Sequence, residues 1–201
     1  MLSLFAVTRS PLLVVMALPI EAQGRFEVEG VPVLFTGVGK VNAAHRLTRA
    51  LAEARVQEGT PLVVNFGTAG SRRFPTGAVV ACRRFAQRDM DVTGLGFEPH
   101  ETPFEDVPRE LEFPEFFAEL PHGVCGSGDR FEAADGAPSF DVVDMEAYAL
   151  AKVCHFEGVP FACAKYVTDG ADTTAASDWA ANLPHAAAAF LSLYRKLGAA
   201  P

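Results

Sequence analysis

Apolar residues occur along the chain in six short and nearly continuous runs. The runs are 11–18, 31–37, 61–67, 77–82, 140–145 and 160–167. Continuous rather than alternating hydrophobicity is typical of strands that are covered on both faces of a sheet. We therefore predict six strands, most of them parallel.

Helical periodicity fills the spaces between several of these runs. The pattern over 40–59 places five apolar residues on one helix face: Val41, Ala44, Leu47, Leu51 and Ala54. A last helix is predicted to begin near Pro184, because proline is favoured in the first turn of a helix. Its buried stripe is predicted to be Ala187, Leu191, Tyr194 and Leu197. Strands that alternate with helices indicate an α/β sandwich.

Size and charge narrow the class of protein. A chain of 201 residues predicts a single domain over 1–201. The formal net charge is −8, which argues against a nucleic-acid partner, because binding to phosphates needs clustered Lys and Arg. The stretch 94–121 has no clear period and is predicted to be a long surface excursion with a functional role.

The cysteines and the amino-terminal segment indicate a cytoplasmic protein. The four cysteines lie at 82, 125, 154 and 163, without a CxxC pair, which favours reduced thiols over disulfides or a zinc site. Arg9 interrupts the apolar stretch 1–20 and no basic segment precedes it, so a strand is expected there instead of a signal peptide. No run reaches the roughly 18 apolar residues that span a membrane, so no membrane association is expected.

Polar side chains follow four of the predicted strands. They are Glu21 after the first, Thr68 at the end of the third, Asp144 and Glu146 after the fifth, and Thr168 and Asp169 after the sixth. In α/β sheets, ligands bind where strands end and loops begin. The sequence therefore predicts one site at a common rim.

Two other motifs are weaker. "TGVGK" (36–40) resembles a phosphate-binding loop, but Leu34 occupies the position of the leading glycine and Val41 follows the lysine. Asp89 and Asp91 in "RDMD" suggest a metal site, but no third ligand lies at a recognisable spacing. We expect solvent-facing or capping roles for both aspartates, and neither a metal nor a cofactor.

The order of the motifs resembles the nucleoside phosphorylase and nucleosidase superfamily, and most closely the 5′-methylthioadenosine/S-adenosylhomocysteine nucleosidases. The resemblance runs from about residue 12 to the carboxyl terminus. It depends on seven segments in the family's order: "ALPIEA", "TGVGKVNAA", "NFGTAGS", "DMDVTGLGF", "GSGDRF", "VDMEAYALAKVC" and "VTDGAD". It implies a three-layer sandwich with a mostly parallel, mixed central sheet.

The resemblance also implies cleavage of the bond between a purine and ribose. Asp169 matches the general acid that protonates the purine N7, and this role requires a raised pKa. Glu146 matches the carboxylate that binds the ribose hydroxyls, and Glu21 matches the carboxylate that activates water. Further substrate contacts are expected from Gly67, Thr68, Phe131, Asp144, Met145, Lys165 and Thr168.

The family's apolar 5′ pocket is built partly by a dimer partner, so the resemblance also implies a homodimer. The matching residues are Val92, Leu95, Phe97, Pro103 and Trp179. Asn65 stands where the phosphorylases have a phosphate-binding arginine, which favours water as the nucleophile.

The chain departs from the family in three respects. Lys165 replaces an arginine, Glu132 replaces an apolar residue, and segments after Glu21 and Phe131 are shorter. Three functions stay open: a purine nucleosidase with an apolar 5′ group, a related enzyme such as a futalosine hydrolase or a phosphorylase, and a non-catalytic nucleoside-binding protein.

Overall fold

A computed structural model describes residues 11–57, 60–130, 140–173 and 175–199. Its eight strands are β1 (Leu12–Met16), β2 (Val33–Phe35), β3 (Leu62–Gly70), β4 (Val79–Gln87), β5 (Glu110–Glu112), β6 (His122–Ser127), β7 (Val142–Asp144) and β8 (Phe161–Asp169). The helices are α1 (Pro19–Ala22), α2 (Arg25–Val28), α3 (Lys40–Gln57), α4 (Ala147–Glu157) and α5 (Ala175–Ala199), and Thr93–Leu95 form one 3-10 turn. All six predicted strands are confirmed.

The strands form one mixed sheet. Five pairings are parallel, namely β1–β2, β1–β3, β3–β8, β4–β6 and β6–β7. Three are antiparallel, namely β3–β7, β4–β5 and β4–β8. Because β8 pairs with both β3 and β4, the strands β3, β8, β4, β6 and β7 close into a ring. The predicted mostly parallel, mixed sheet is confirmed.

Two hydrophobic layers cover the sheet. On one face, Leu47 and Leu51 of α3 and Leu150 of α4 are buried against the strands. On the other face, Phe190 of α5 stacks on Phe66 of β3 with ring centroids 5.3 Å apart. Helices on both faces of a sheet make the three-layer α/β sandwich that the sequence predicted.

Three predicted details are wrong. The last helix begins at Ala175 and continues through Pro184, because the buried side of α5 already includes Ala175 and Leu183. Val41 is 79% exposed, and Ala43 is buried on that turn instead. The region 94–121 is not only surface, since β5 pairs with β4 and buries Leu111.

The four cysteines, Cys82, Cys125, Cys154 and Cys163, are free and buried. Within the described part of the chain, no helix has both the length and the hydropathy that crossing a bilayer requires. Residues 1–10, the part of the chain considered for a signal peptide that precedes the first predicted strand, lie outside the described residues.

Candidate active site

A cavity of about 280 Å³ opens at the rim where several strands end. Glu21, Glu146 and Asp169, which are distant along the sequence, all line it. Other predicted residues on its wall are Thr68, Asp144, Met145, Thr168 and Trp179. The structure therefore brings most of the predicted site residues together around one hollow.

Glu21 lies on the short helix α1 directly after β1 and is 4% exposed. Its Oε2 accepts a hydrogen bond from the Leu18 N–H at 3.0 Å. Its Oε1 accepts from the Thr68 N–H at 3.0 Å and lies 2.9 Å from the Thr68 Oγ1. These donors join the end of β3 to α1 and fix the plane of the carboxylate.

Trp179 contributes a polar contact to the same group. Its indole Nε1–H donates to the Thr68 Oγ1 at 3.0 Å. The side chain comes from the first turns of α5, which begin nine residues before Pro184. The sequence predicted an apolar wall residue at this position and did not predict the hydrogen bond.

Asp169 ends β8 and is 3% exposed. The Thr168 hydroxyl donates to its Oδ2 at 2.8 Å, and the Ala171 N–H donates to its Oδ1 at 2.9 Å. Burial raises the pKa of Asp169, and the negative charges of Asp172 and Asp178 act in the same direction. The carboxyl group is thus disposed to hold a proton and to deliver it into the cavity.

Glycine at position 70 makes room for this acid. A Cβ on Gly70 would lie 2.7 Å from the Asp169 Oδ1 and 3.0 Å from the Ala171 Cβ. Ala171 itself has a positive φ of 51°, and this turn aims its N–H at the carboxylate. The end of β3 and the turn after β8 therefore position the acid together.

Glu146 precedes α4 and accepts a hydrogen bond at Oε1 from the Gly39 N–H at 2.8 Å. Burial raises its pKa to about 8, and repulsion from Asp144 adds to the effect. The Gly39 N–H and the charge of Lys165 oppose the rise. Near neutral pH, a proton on Glu146 is therefore easily gained and lost.

The two weak sequence motifs meet beside Glu146. Lys40 of "TGVGK" forms an ion pair with Asp89 of "RDMD" and lies 3.7 Å from the Asp129 Oδ2. The Lys40 N–H also donates to the Asp129 Oδ1 at 2.8 Å. This cluster ties the start of α3, and with it the Gly39 N–H, to the loops after β4 and β6. Asp91 instead caps the Thr93 turn, and no group of metal ligands occurs among the described residues.

Asp144 and Lys165 form a buried ion pair beneath the cavity. The Lys165 Nζ lies 2.8 Å from the Asp144 Oδ2, and Ser127 and the Ala147 N–H also donate to this carboxylate. Burial alone would raise the pKa of Asp144, but the charge of Lys165 and these donors outweigh it and lower the pKa. Asp144 therefore stays ionised, while Lys165 does not line the cavity.

The remaining predicted residues lie elsewhere. Gly67 is behind the wall, where a Cβ would lie 3.0 Å from the Lys165 Nζ and 3.7 Å from the Glu21 Oε1. Four of the five residues predicted for the 5′ pocket do not line the cavity of their own chain, namely Val92, Leu95, Phe97 and Pro103. Leu95 is 75% exposed. Phe131 and Glu132 lie outside the described residues.

Several wall residues were not predicted from the sequence, among them Val38, Arg88 and Arg130. Arg88 directly follows β4, and its Nη2 donates to the backbone carbonyls of Gly128 and Arg130. The predicted strand 77–82 stopped five residues before the observed end of β4 at Gln87. A correctly placed strand end would have identified Arg88 as a rim residue.

The chain matches a known protein family over most of its length. The family described as the phosphorylase superfamily matches residues 22–197. The chain therefore belongs to the phosphorylase superfamily, and the resemblance found in the sequence is confirmed.

Among its relatives, the chain is similar to the nucleosidases of this superfamily. It is 30% identical over 185 residues to the 5′-methylthioadenosine/S-adenosylhomocysteine nucleosidase of Haemophilus influenzae strain PittEE, with 82% of this chain and 79% of the relative covered. It is 31% identical over 169 residues to the nucleosidase of the same name from Marinomonas sp. strain MWYL1, with 73% and 71% covered.

Solved structures share the fold. The nucleosidase of Helicobacter pylori with butyl-thio-DADMe-Immucillin-A has a TM-score of 0.80 and 19% identity, covering 94% of this chain and 98% of the other. A futalosine hydrolase mutant of Helicobacter pylori strain 26695 has a TM-score of 0.79 and 21% identity, covering 92% and 97%. At these identities the likeness establishes the three-layer fold.

Proposed function

We propose that the protein hydrolyses the N-glycosidic bond of a purine nucleoside and releases the free base. The observation that supports this most strongly is that Glu21, Glu146 and Asp169 line one cavity of about 280 Å³. Three acids with separate environments suit the three tasks of the reaction, namely protonating the base, stabilising the sugar cation and activating water. The family membership and the named relatives agree with this proposal.

Asp169 is the proposed general acid. Burial raises its pKa, which favours the protonated form, and the Thr168 and Ala171 donors keep its carboxyl group in place. The proton passes to the purine N7 as the bond between the ribose C1′ and the purine N9 breaks. The electron pair of that bond leaves with the base, which departs as a neutral molecule.

Glu146 is the proposed ribose ligand. A carboxylate accepts hydrogen bonds from two neighbouring hydroxyls, and its negative charge stabilises the developing ribosyl cation. Its pKa of about 8 reflects burial beside Asp144. A cation in the cavity favours the ionised form, so this interaction strengthens as the transition state forms.

Glu21 is the proposed water-activating base. A water molecule attacks C1′ and forms the new C–O bond, while its proton passes to the Glu21 carboxylate. The Leu18 and Thr68 donors hold this carboxylate at the cavity wall. A protein that only bound nucleosides would have no use for this third acid, which argues against the non-catalytic alternative.

Water is favoured over phosphate as the nucleophile. Asn65 is 2% exposed and its Nδ2 donates to the Val15 carbonyl at 3.1 Å, so it belongs to the core. Lys165 is neutralised by Asp144. Neither residue supplies the cationic contact that a phosphate dianion needs. Arg88 and Arg130 lie on the cavity wall, so the assay with and without phosphate decides between the two nucleophiles.

The substrate we propose has a 5′-alkylthio group, as in methylthioadenosine or S-adenosylhomocysteine, in agreement with the names of the curated relatives. A second candidate substrate is a nucleoside with an anionic 5′ group. Futalosine represents this class in the substrate panel below. Arg88 and Arg130 on the cavity wall favour it, because guanidinium groups attract carboxylates.

We also propose a homodimer in the cytoplasm. Leu95 is 75% exposed and Phe104 is 94% exposed, so the excursion after β4 presents apolar side chains that a second copy would cover. In that arrangement Leu95 and its neighbours would complete the partner's 5′ pocket. Light scattering of wild-type protein and of Leu95→Asp tests this, with a smaller particle expected for the variant and a monomeric wild type contradicting the dimer.

The function is tested by incubating the protein with methylthioadenosine, S-adenosylhomocysteine, futalosine and inosine, each with and without phosphate, and measuring free base by chromatography. We expect base release that does not depend on phosphate. Dependence on phosphate would instead favour a phosphorylase. No cleavage of any nucleoside would contradict the enzymatic proposal and favour a binding protein.

A further inference from the structure

We propose that Trp179 is a positioning residue that fixes the direction of the hydrogen bond between Thr68 and Glu21, and through it the orientation of the water-activating carboxylate. This inference rests on the proposed function, because it assigns a task to a neighbour of Glu21. It concerns Trp179, for which the sequence predicted only a place in the apolar 5′ pocket.

The chemistry of the three groups allows only one arrangement. The indole N–H can only donate, and an ionised carboxylate can only accept. The Thr68 Oγ1 lies 3.0 Å from the Trp179 Nε1 and 2.9 Å from the Glu21 Oε1. Because the hydroxyl accepts from Trp179, its single proton points to Glu21. Without the indole N–H, that proton could rotate towards other acceptors in the cavity.

This direction determines which carboxylate oxygen can react. Oε1 of Glu21 receives both the Thr68 N–H and the Thr68 hydroxyl proton. Oε2 receives the Leu18 N–H at 3.0 Å. The oxygen with fewer protein donors, Oε2, is therefore the one we assign to accept the proton of the attacking water.

The position of Trp179 is fixed by the contacts of its helix. The residue is half-buried at the cavity wall, and the same helix is joined to β8 by the Asn182 Nδ2, which donates to the Thr168 carbonyl at 3.1 Å. Farther along α5, Leu183 and Ala187 are buried against the sheet. A rigid helix holds the indole at a fixed distance from the end of β3, as a positioning role requires.

The kinetic test is a double-mutant cycle with Trp179→Phe and Thr68→Val. Trp179→Phe keeps the ring and removes the N–H, so we expect kcat to fall about 5- to 20-fold with KM changed less than about twofold. This is less than the roughly 10²- to 10⁴-fold contribution of a general base itself, because Trp179 acts only through Thr68. In the Thr68→Val background, Trp179→Phe should have almost no further effect, because the residue it acts through is absent. Tyr194→Phe, on the same helix, is the matched control and should leave activity unchanged.

A spectroscopic test reports the hydrogen bond without activity. Trp179 is the single tryptophan of the chain, so the protein has one side-chain indole N–H resonance. We expect Thr68→Val to move this resonance upfield and to speed its exchange with solvent, while Thr68→Ser preserves both. An unchanged resonance in Thr68→Val would overturn the proposal.

The outcomes separate the two proposals. If wild-type protein cleaves nucleosides but the two substitutions reduce kcat independently, or Trp179→Phe is silent, the positioning role is overturned and the proposed function stands. If the wild-type protein cleaves no nucleoside, both are overturned. Thermal unfolding of each variant identifies a loss of activity that comes from misfolding. If Trp179→Phe misfolds, the test passes to Trp179→His, which carries a ring N–H. For the proposal to hold, Trp179→His must have a higher kcat than Trp179→Phe.

Discussion

The Lys165 ammonium lies 2.8 Å from the Asp144 carboxylate, and both side chains are 2% exposed or less. Burial opposes the charge on Lys165, but attraction to Asp144 outweighs it, and the pKa of Lys165 is raised. The pair places one cation under a cavity wall that also carries Glu21 and Glu146. The positive charge of Lys165 offsets the cost of burying the Asp144 carboxylate close to Glu21 and Glu146.

Removing this cation should strongly destabilise the fold. We expect Lys165→Met to lower the free energy of unfolding by about 3–5 kcal/mol, because Asp144 becomes an unpaired buried charge. Urea denaturation followed by circular dichroism measures this. The double variant Lys165→Met/Asp144→Asn should recover much of the loss, and equal instability of the single and double variants would contradict this account.

Asp169→Asn should abolish base release while leaving the fold intact. The amide can still accept the Ala171 N–H but cannot supply a proton to the purine, so we expect kcat to fall by at least about 10²-fold. Chromatography of the released base measures the rate. Asp106→Asn, an exposed aspartate outside the cavity, is the control and should match the wild type.

Glu21→Gln should separate binding from turnover. The substitution preserves the size of the side chain but removes the base, so we expect a fall in kcat of about 10²-fold or more with nucleoside affinity close to that of the wild type. Isothermal titration with a purine nucleoside measures affinity, and steady-state assays measure kcat. Unchanged turnover would contradict the role assigned to Glu21.

Glu146→Gln should stabilise the protein above pH 5 even as it impairs catalysis. The folded pKa of about 8 lies above the ordinary value of 4.5, so between these values the unfolded chain loses a proton that the folded chain keeps. The free energy of unfolding therefore declines as pH rises from 4.5 to 8. We expect the variant to gain about 3 kcal/mol over the wild type at pH 7 and little at pH 4, measured by urea denaturation.

Gly70→Ala should impair the acid without unfolding the chain. The added methyl group would lie 2.7 Å from the Asp169 Oδ1, so the carboxyl group must move away from its position at the cavity wall. We expect kcat to fall about tenfold or more, since displacement of a catalytic group by ~1 Å is costly. Gly198→Ala, where the new Cβ meets nothing within 4 Å, is the matched control.

The strand order along the chain could be predicted because most strands are continuous apolar runs. Two strands, β5 and β6, were not predicted, and β6 shows the limit of this signal. β6 (His122–Ser127) contains Gly123 and Gly126, and a Cβ on Gly126 would lie 2.3 Å from Phe140. Close packing selects glycine there, and a strand with two glycines looks like a loop in the sequence.

Local patterns also misplaced two element ends. Proline usually starts or stops a helix, so Pro184 was taken as the start of α5, although the helix begins nine residues earlier. β4 carries Arg83 and Arg84, which form ion pairs across to Glu112 and Glu110 of β5. The two arginines interrupt the apolar run, so the second half of the strand was not predicted. Their partners on β5 are distant in sequence and could not be identified from it.

Glu21 and Asp169 could be predicted because they follow or end strands parallel to β3, and parallel strands place such residues at one rim. Glu146 follows β7, which reaches the same rim because it pairs antiparallel with the end of β3 at Gly70. The hydrogen bond from Trp179 could not be predicted, because it joins residues on α5 and β3 whose separation depends on how the helix packs. The ion pair of Lys165 with Asp144 is likewise a product of packing between β8 and β7.

The strand β8 comes late in the chain yet lies at the centre of the sheet, between β3 and β4. During synthesis, the edges of β3 and β4 that pair with β8 lack this hydrogen-bonding partner until residues 161–169 emerge. Unpaired edges of this kind attract other chains. We therefore expect the nascent protein to be most prone to aggregation just before residues 161–169 emerge, and this same segment ends with Asp169 of the candidate site.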